Sequence, residues 1–373
     1  MIDRVTQLRA GATRGQTSII EIGPSHAPIA PKADGWRSFI VDHTDQAGLR
    51  AKFTGLGVNL DAIEPVDAIW AGGPLDAAIP PERAGSFDLL IASHVFEHLP
   101  DPIRFLDSAS RLLKPEGVVA LAIPDKRFCF DYFRPVATTA DMLEAWFARR
   151  ATHPPRTLWN HATATVTMDG VGAWGQHPVS RPAYQSVAGF TRAAAEARFD
   201  ALDADAAYED AHAWMLTPAV FTQIMLELAQ LELTAWKIRT CEGPLGCEFL
   251  VHLVRGATPM AEPAAFHEAR LALARRHVEE LREQVRFAEA GGLLSGPPAA
   301  IAQADLTNQV ADQEQRLTEI EARLSRIRTA TAPLLTLLRL FRLYPRPPPS
   351  LDGVPDLRKR RGARSARWNW TCR

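Results

Sequence analysis

Five short apolar runs in the first third of the chain constrain the fold most strongly. They are residues 18–23, 39–42, 66–70, 87–93 and 118–124. Strands that are buried on both faces of a parallel sheet read as continuous apolar runs of this kind. A helix is predicted from Asp101 to Leu113, because Asp101-Pro102 is a good N-cap and first-turn pair ahead of an amphipathic stretch. The pattern predicts an α/β, Rossmann-like fold.

A second group of signals completes this domain, which we place at residues 17–256 after an N-terminal arm at 1–16. Thr217-Pro218 opens a predicted helix that runs to Leu231. Residues 232–240 and 248–254 flank a Gly-Pro-Leu-Gly turn and predict an antiparallel strand pair. Residues 126–210 are rich in aromatics, histidine and proline. Because this stretch is too long for an ordinary crossover, we interpret it as an inserted cap or lid.

Beyond Pro263 the pattern becomes that of a coiled coil. Apolar residues recur at spacings of three and four, from Leu271 through Val278 to Val285, and again after a Gly/Pro-rich break at 291–298. We predict coiled-coil helices over 264–341, and keep an amphipathic helix lying on the domain as the alternative. For residues 334–344 we favour a continuation of the seam over a membrane-surface helix. The Pro- and Arg-rich tail at 345–373 is predicted to be disordered.

Composition narrows the classes of function. Hydrophobic residues make up 46% of the 373 residues, and the formal net charge is -1. This balance disfavours nucleic acid as a partner. The four cysteines form no C-x-x-C pair, so we expect neither a zinc site nor a disulfide framework, and no metal. No apolar run reaches membrane-spanning length and no signal peptide is evident, so the cytoplasm is the expected location.

Small and polar residues follow the predicted strands at the edge where parallel sheets bind ligands. Gly23 allows the backbone to approach a ligand closely. Asp42 follows it by about twenty residues, the spacing at which an acid at the end of a second strand accepts hydrogen bonds from a ribose diol. Trp70 and the Ser93-His94 pair end the next two strands. This arrangement predicts a nucleoside-containing ligand.

These segments together resemble a known family. Residues 19–24, Asp42 and the run FDLLIASHVFEHLPD at 87–101 are similar to class I S-adenosylmethionine (SAM)-dependent methyltransferases, in particular the methyltransferase type 11 subgroup. RLLKPEGV at 111–118 resembles the stretch before that family's fifth strand. The resemblance covers about 17–256 and implies a seven-stranded, mostly parallel sheet with a reversed last strand, and SAM as cofactor.

The chain departs from the family pattern at three points. Its first loop has one glycine where the family has two or three, and Pro28 and Pro31 interrupt the expected first helix. No acid follows the third strand, so we expect adenine to lie against Trp70 or backbone. The candidate cofactor-binding residues are Glu21, Gly23, Pro24, Ser25, Asp42, His43, Trp70, Ser93 and His94.

The candidate catalytic residues are His94 and Asp125, because a hydroxyl acceptor usually needs a general base. His161 and His177 in the predicted cap are further candidates. Lys126 and Arg127 either bind an anionic acceptor or are charges at the rim of a cleft. Glu97-His98 is interpreted as shaping the start of the next helix.

The first hypothesis is a methyltransferase that acts on a small-molecule or glycan acceptor and forms a homo-oligomer through its coiled coil. The alternative is a non-catalytic scaffold of the same fold. A nicotinamide dehydrogenase is disfavoured by the missing G-x-G-x-x-G and by the terminal hairpin. A nucleic-acid methyltransferase that uses the basic tail is disfavoured by the near-neutral net charge.

Overall fold

The structure is a computed structural model, and it describes residues 3–185, 190–200 and 208–294. Its main feature is a seven-stranded sheet of order β3-β2-β1-β4-β5-β9-β8. Strands β1 to β5 are parallel, and β9 pairs antiparallel with both β5 and β8. The strands of the sheet are β1 (Ser18–Ile22), β2 (Arg37–Asp42), β3 (Ala68–Ile69), β4 (Phe87–Ser93), β5 (Leu113–Pro124), β8 (Trp236–Leu245) and β9 (Glu248–Arg255). The prediction of a mostly parallel sheet with a reversed last strand is confirmed.

Eight α-helices are present in the part of the chain that the structure describes. They are α1 (Arg4–Leu8), α2 (Gln46–Phe53), α3 (Pro102–Leu112), α4 (Thr139–Phe147), α5 (Pro155–Ala164), α6 (Arg192–Asp200), α7 (Pro218–Gln230) and α8 (Pro263–Ala290). The predicted caps form as expected: the side chains of Asp101 and Thr217 accept hydrogen bonds from backbone N–H groups in the first turns of α3 and α7. Helix α3 ends at Leu112, next to its predicted end at Leu113, but β5 begins already at Leu113, which pairs with Phe87, and not at the start of the apolar run at 118–124.

Alternate residues along the central strands bury two separate cores. On one face, Ile20 and Leu90 join a large cluster with Phe105 of α3 and Phe221 of α7. On the other face, Ile19 and Leu89 pack in a smaller cluster. The continuous apolar runs in the sequence therefore have their expected cause, which is a sheet covered on both sides.

The second face is covered without a helix between β1 and β2. The connection contains only a single 3-10 turn at Lys32–Asp34, and Ile29 and Ala30 pack onto the sheet directly. Prolines at 28 and 31 account for the missing helix. Leu8 of α1 is fully buried in the same cluster, so the N-terminal arm is part of the packed core.

The segment predicted as a cap forms α4, α5, α6 and a small antiparallel pair, β6 (Val166–Met168) and β7 (Pro182–Tyr184). Several of its buried side chains are polar or ionised, among them Asp131, Arg134 and His153. The cap thus contributes charged groups as well as apolar cover.

Helix α8 lies on the domain through a face other than the predicted heptad face. Glu280 accepts a hydrogen bond from the backbone N–H of Ala219, and Phe287 packs against Phe128 with 5.6 Å between ring centroids. Of the residues predicted to form the seam, Leu271, Val278, Leu281 and Val285 are between 38% and 51% exposed, whereas Ala288 is buried against the domain. The second coiled-coil segment and the basic tail lie outside the described residues, and self-association through the seam stays a prediction.

Within the ranges that the structure describes, no helix combines the length and apolar character needed to cross a membrane.

Candidate functional site

The first glycine turn and the acid that ends β2 are in direct contact. The backbone N–H of Ser25 donates to Oδ2 of Asp42 at 3.0 Å, and the N–H of Gly23 donates to the Val41 carbonyl at 2.7 Å. Gly23 has φ of +62°, and a Cβ there would lie 2.9 Å from Cγ2 of Val95. The turn therefore requires glycine both for its conformation and for the close approach of β4's following loop.

Replacing Gly23 by alanine should destabilise the domain by about 1–2 kcal/mol from the left-handed backbone alone, with a further cost from the clash with Val95. Gly55 is a matched control, because its φ is +83° and no atom lies within 4 Å of a Cβ built there. We expect urea unfolding to show a larger loss for G23A than for G55A. Equal losses of stability in the two variants would show that the contact with Val95 adds no cost.

Asp42 is buried and covered by its neighbour. The Asp42 side chain is 1% exposed, and Nδ1 of His43 lies 2.6 Å from Oδ1. The His43 side chain is itself 44% exposed, so it can move away from the carboxylate. The backbone N–H of Trp70 donates to the Asp42 carbonyl at 2.8 Å, which brings the end of β3 to the same edge. Gly23, Pro24, Ser25, Asp42, His43 and Trp70 thus lie together.

The end of β4 is held by residues from both ends of the domain. Arg4 of α1 donates to Ser93 Oγ at 2.6 Å and pairs with Glu248 of β9. Nε2 of His94 lies 2.7 Å from Oε2 of Glu248, and His94 has φ of +54°, which is uncommon for a residue other than glycine. Burial alone would lower the pKa of His94, but the carboxylates of Glu248 and Glu97 raise it to about 9.

Glu21 points away from the other candidates. It is 2% exposed, and its two carboxylate oxygens accept hydrogen bonds from the backbone N–H groups of Ile29 and Ala30. Its carboxylate therefore holds the irregular loop that replaces the first helix. Burial raises the pKa of Glu21 to about 7, and these two hydrogen bonds only partly oppose that effect.

The raised pKa of Glu21 gives a pH-dependent prediction. Below its unfolded pKa of 4.5 the group is protonated in both states. As the pH rises from there to 7, the folded state holds this proton more tightly than the unfolded state does. The free energy of unfolding of the wild-type domain therefore falls by up to roughly 3 kcal/mol relative to that of the Glu21→Gln variant. Urea unfolding at pH 5 and pH 8 should show this change, and the exposed Glu116→Gln variant should not. If the difference in unfolding free energy between the wild type and Glu21→Gln stays constant with pH, this prediction is wrong.

Asp125 lies in a buried ion pair. Its oxygens accept from Nε and Nη2 of Arg127 at 2.9 and 2.5 Å, and both side chains are at most 1% exposed. Lys126 is also buried and donates to the Tyr132 carbonyl. Both cations are therefore buried, although Arg127 also contributes to the wall of an open cavity beside α8. Of the two histidines in the cap, His177 is exposed, whereas His161 accepts a hydrogen bond from the His212 backbone N–H.

A group of histidines surrounds Glu97, which lies in a 3-10 turn just before α3. Oε1 of Glu97 is 3.5 Å from Nδ1 of His94, 3.6 Å from Nε2 of His98 and 3.9 Å from Nε2 of His212. Glu97 is 1% exposed. Burial alone would raise its pKa, but the three imidazoles lower it, so the group is a buried carboxylate. The interpretation that Glu97-His98 only shapes a helix start is incomplete.

Part of the chain matches the model of a known protein family. Residues 3–171, a little under half of the chain, match the family model of a methyltransferase domain. In the sheet, β9 alone runs antiparallel to the other strands, and the glycine turn and Asp42 lie together at the carboxyl edge. The match and the fold are consistent with a class I SAM-dependent methyltransferase domain.

Three solved structures similar to the methyltransferase domain are methyltransferases. One from Mesorhizobium loti, described as S-adenosylmethionine dependent, has 14% identity and a TM-score of 0.33, over 67% of this chain and 96% of its own. The trans-methyltransferase CalH, in complex with SAH, has 12% identity and a TM-score of 0.33, over 68% and 55%. A SAM-dependent methyltransferase from Aquifex aeolicus has 17% identity and a TM-score of 0.25, over 38% and 76%. No curated protein matches the chain.

A cavity of about 300 Å³ adjoins the histidine group of the methyltransferase domain. Arg134 and Ala213 belong both to its wall and to the surroundings of Glu97, since the Ala213 N–H donates to the Glu97 carbonyl at 2.7 Å. The rest of the wall is mixed: it has apolar residues such as Trp214 and Met215, two acids, and the polar or basic residues Arg150, His153, Arg156 and Asn160. The cavity is large enough for a small polar molecule.

Sequence reasoning missed the residues that reach this region from elsewhere in the chain. None of these residues belongs to a motif with the glycine turn. They are Arg4, which donates to Ser93, Glu248, which contacts His94, and the hydrogen-bonded pair of Asp131 and His212. The one local signal was the spacing His94-x-x-Glu97-His98, which places three chemically active side chains within five residues.

Proposed function

We propose that the chain is an active SAM-dependent methyltransferase whose acceptor is a small molecule or a glycan. The contact between Ser25 and Asp42 is the observation that carries the proposal. This contact brings the glycine turn and the Asp42 carboxylate to one edge of the sheet. A carboxylate in that position can accept hydrogen bonds from the ribose diol of a nucleoside. When bound, SAM would supply an activated methyl group.

The residues present fit the nucleoside part of SAM. Asp42 has one backbone N–H on each oxygen, and a carboxylate has about four lone-pair sites, so it can accept two further hydrogen bonds. His43 must swing aside to admit the ribose. Trp70 is partly exposed and offers an aromatic face for a base, and its ring is fixed by a hydrogen bond to the Gly73 carbonyl.

The cavity beside His153 supports an acceptor of modest size. Its mixed polar and apolar wall suits a polar molecule with an apolar part, and the nearby His94 side chain is 39% exposed. Positioning alone contributes much of the rate of a displacement whose leaving group is already activated. We therefore assign the chain's residues a mainly orienting role, and assign Asp125 none while both of its oxygens are bound by Arg127.

Calorimetric titration with SAM and, separately, with NADH tests the proposal. We expect one SAM per chain and no NADH binding, followed by release of S-adenosylhomocysteine when sugars and small hydroxylated or amino acceptors are supplied. SAM binding without turnover on any acceptor would favour the scaffold alternative. Absence of SAM binding would overturn the proposal.

A further inference from the structure

The buried carboxylate of Glu97 lacks the partners that such a group normally has. Neither of its oxygens accepts a hydrogen bond from the residues that the structure describes. A buried charge is ordinarily paired or hydrogen-bonded, because leaving it bare costs several kcal/mol. The three imidazole nitrogens that face Oε1 at 3.5–3.9 Å are too far for good hydrogen bonds. Oε1 and the three imidazole nitrogens therefore face one another without being joined by hydrogen bonds.

The spacing of these atoms suits ligands of one ion. In a tetrahedral site with metal–ligand distances of about 2.0–2.2 Å, neighbouring ligand atoms are about 3.3–3.6 Å apart. Oε1 of Glu97 is 3.6 Å from Nε2 of His98 and 3.9 Å from Nε2 of His212. Ligand atoms of these three residues all lie within 4.8 Å of one another. To reach tetrahedral spacing, the most distant of these atoms must approach one another by up to about 1 Å, which side-chain rotation can supply.

The histidines are also oriented as metal ligands are. Each of the three turns its other ring nitrogen to a carboxylate. For His94 and His212 the contact is a hydrogen bond, which fixes the ring and makes the inner nitrogen a better ligand, whereas the Nδ1 of His98 lies near Asp210 outside hydrogen-bond geometry. The contacts are His94 Nε2 to Glu248 at 2.7 Å, His98 Nδ1 to Asp210 at 2.8 Å and His212 Nδ1 to Asp131 at 2.6 Å. A further donor holds each carboxylate: Arg4 on Glu248, Tyr208 on Asp210 and Arg134 on Asp131.

The charge of the group is unbalanced when the imidazoles are neutral. Four carboxylates contribute four negative charges, and two arginines contribute two positive charges. The remaining two negative charges equal the charge of one divalent cation. Protons on the histidines are the other means of neutralising them, and direct metal titration separates the two.

We propose that Glu97, His98 and His212 bind one divalent first-row transition-metal ion. Imidazole and carboxylate ligands suit zinc and its neighbours in the periodic table, whereas magnesium and calcium prefer oxygen ligands alone. The site lies just after the end of β4, beside the cavity. The expectation from the cysteine count, that the chain has no metal, considered only thiolate sites.

Cobalt titration of tag-free, chelator-treated protein tests this proposal. We expect one Co²⁺ per chain, visible d–d absorption bands typical of nitrogen and oxygen ligation, and displacement of the cobalt by one equivalent of Zn²⁺. Elemental analysis after dialysis should give the same stoichiometry. These readouts require neither SAM nor an acceptor, so their outcome is independent of the proposed function.

Variants locate the ion. Glu97→Gln and His212→Asn should each weaken Co²⁺ binding by about 100-fold or more, since replacing even the outer partner of a ligand costs about 10–100-fold. Asp131→Asn, which alters only an outer partner, should fall in that 10–100-fold range. His267→Asn is the matched control, because this histidine is exposed on α8. Circular dichroism identifies any variant that does not fold, and His98→Gln then replaces it.

Two results would overturn the proposal. One is a wild-type chain that takes up no cobalt with visible d–d bands. The other is cobalt binding of the same affinity in the folded Glu97 and His212 or His98 variants.

Discussion

Replacing Asp42 by alanine should weaken SAM binding about 5- to 150-fold, which corresponds to about 1–3 kcal/mol for lost hydrogen bonds to a charged group. The reason is geometric as well as electrostatic. Asp42 is the acid at the end of β2, and it also holds the Ser25 N–H of the glycine turn. Its loss removes the acceptor for the ribose and loosens the adjoining backbone. Calorimetry on the purified variant measures the effect.

Two companion variants sharpen this test. Asp61→Ala removes an acid whose side chain is 90% exposed, and it should leave SAM affinity unchanged. His43→Ala should leave affinity unchanged or increase it, because His43 covers the Asp42 carboxylate. Unaltered affinity in the folded Asp42 variant would exclude this carboxylate from the site.

Replacing Arg127 by methionine should destabilise the domain by about 3–5 kcal/mol, the usual cost of removing one partner of a buried ion pair. Arg127 is 1% exposed, and it connects Asp125 at the end of β5 to Glu283 of α8. Its removal leaves the Asp125 carboxylate buried without a counter-ion and detaches one contact of the long helix. Urea unfolding followed by circular dichroism gives the loss.

The double variant Asp125→Asn with Arg127→Met distinguishes the ion pair from simple packing. Because it removes both charges together, it should recover much of the stability that the single variant loses. If the double variant is as unstable as the sum of its two single variants, the coupling between the charges is absent. Separately, if the double variant retains methyl-transfer activity, Asp125 is not the general base.

Local sequence patterns predicted those parts of the site that depend on residues close together in the sequence. Gly23 and Asp42 end adjacent parallel strands, so their spacing alone brought them to one edge. The same logic failed for the loop after β1. There the acid Glu21 turned inward to hold Ile29 and Ala30, because two prolines prevented the helix that would otherwise satisfy that backbone.

The surroundings of Glu97 could not be predicted in this way. His212 follows Glu97 by more than a hundred residues, and Arg4 and Glu248 come from opposite ends of the domain. No periodicity connects them, since their meeting depends on how the cap and β9 pack against β4 and β5. Helix α8 gives the converse case. Its heptad pattern predicted a helix correctly, but the domain packs on a face marked by Glu280 and Phe287.

Hydrogen–deuterium exchange with and without SAM tests the location of the cofactor most directly. We expect slower exchange on SAM addition in peptides that contain residues 20–26, 39–43 and 92–98, and little change in α8. Protection confined to other peptides, or equal protection by NADH, would contradict a nucleoside site between the glycine turn and Asp42.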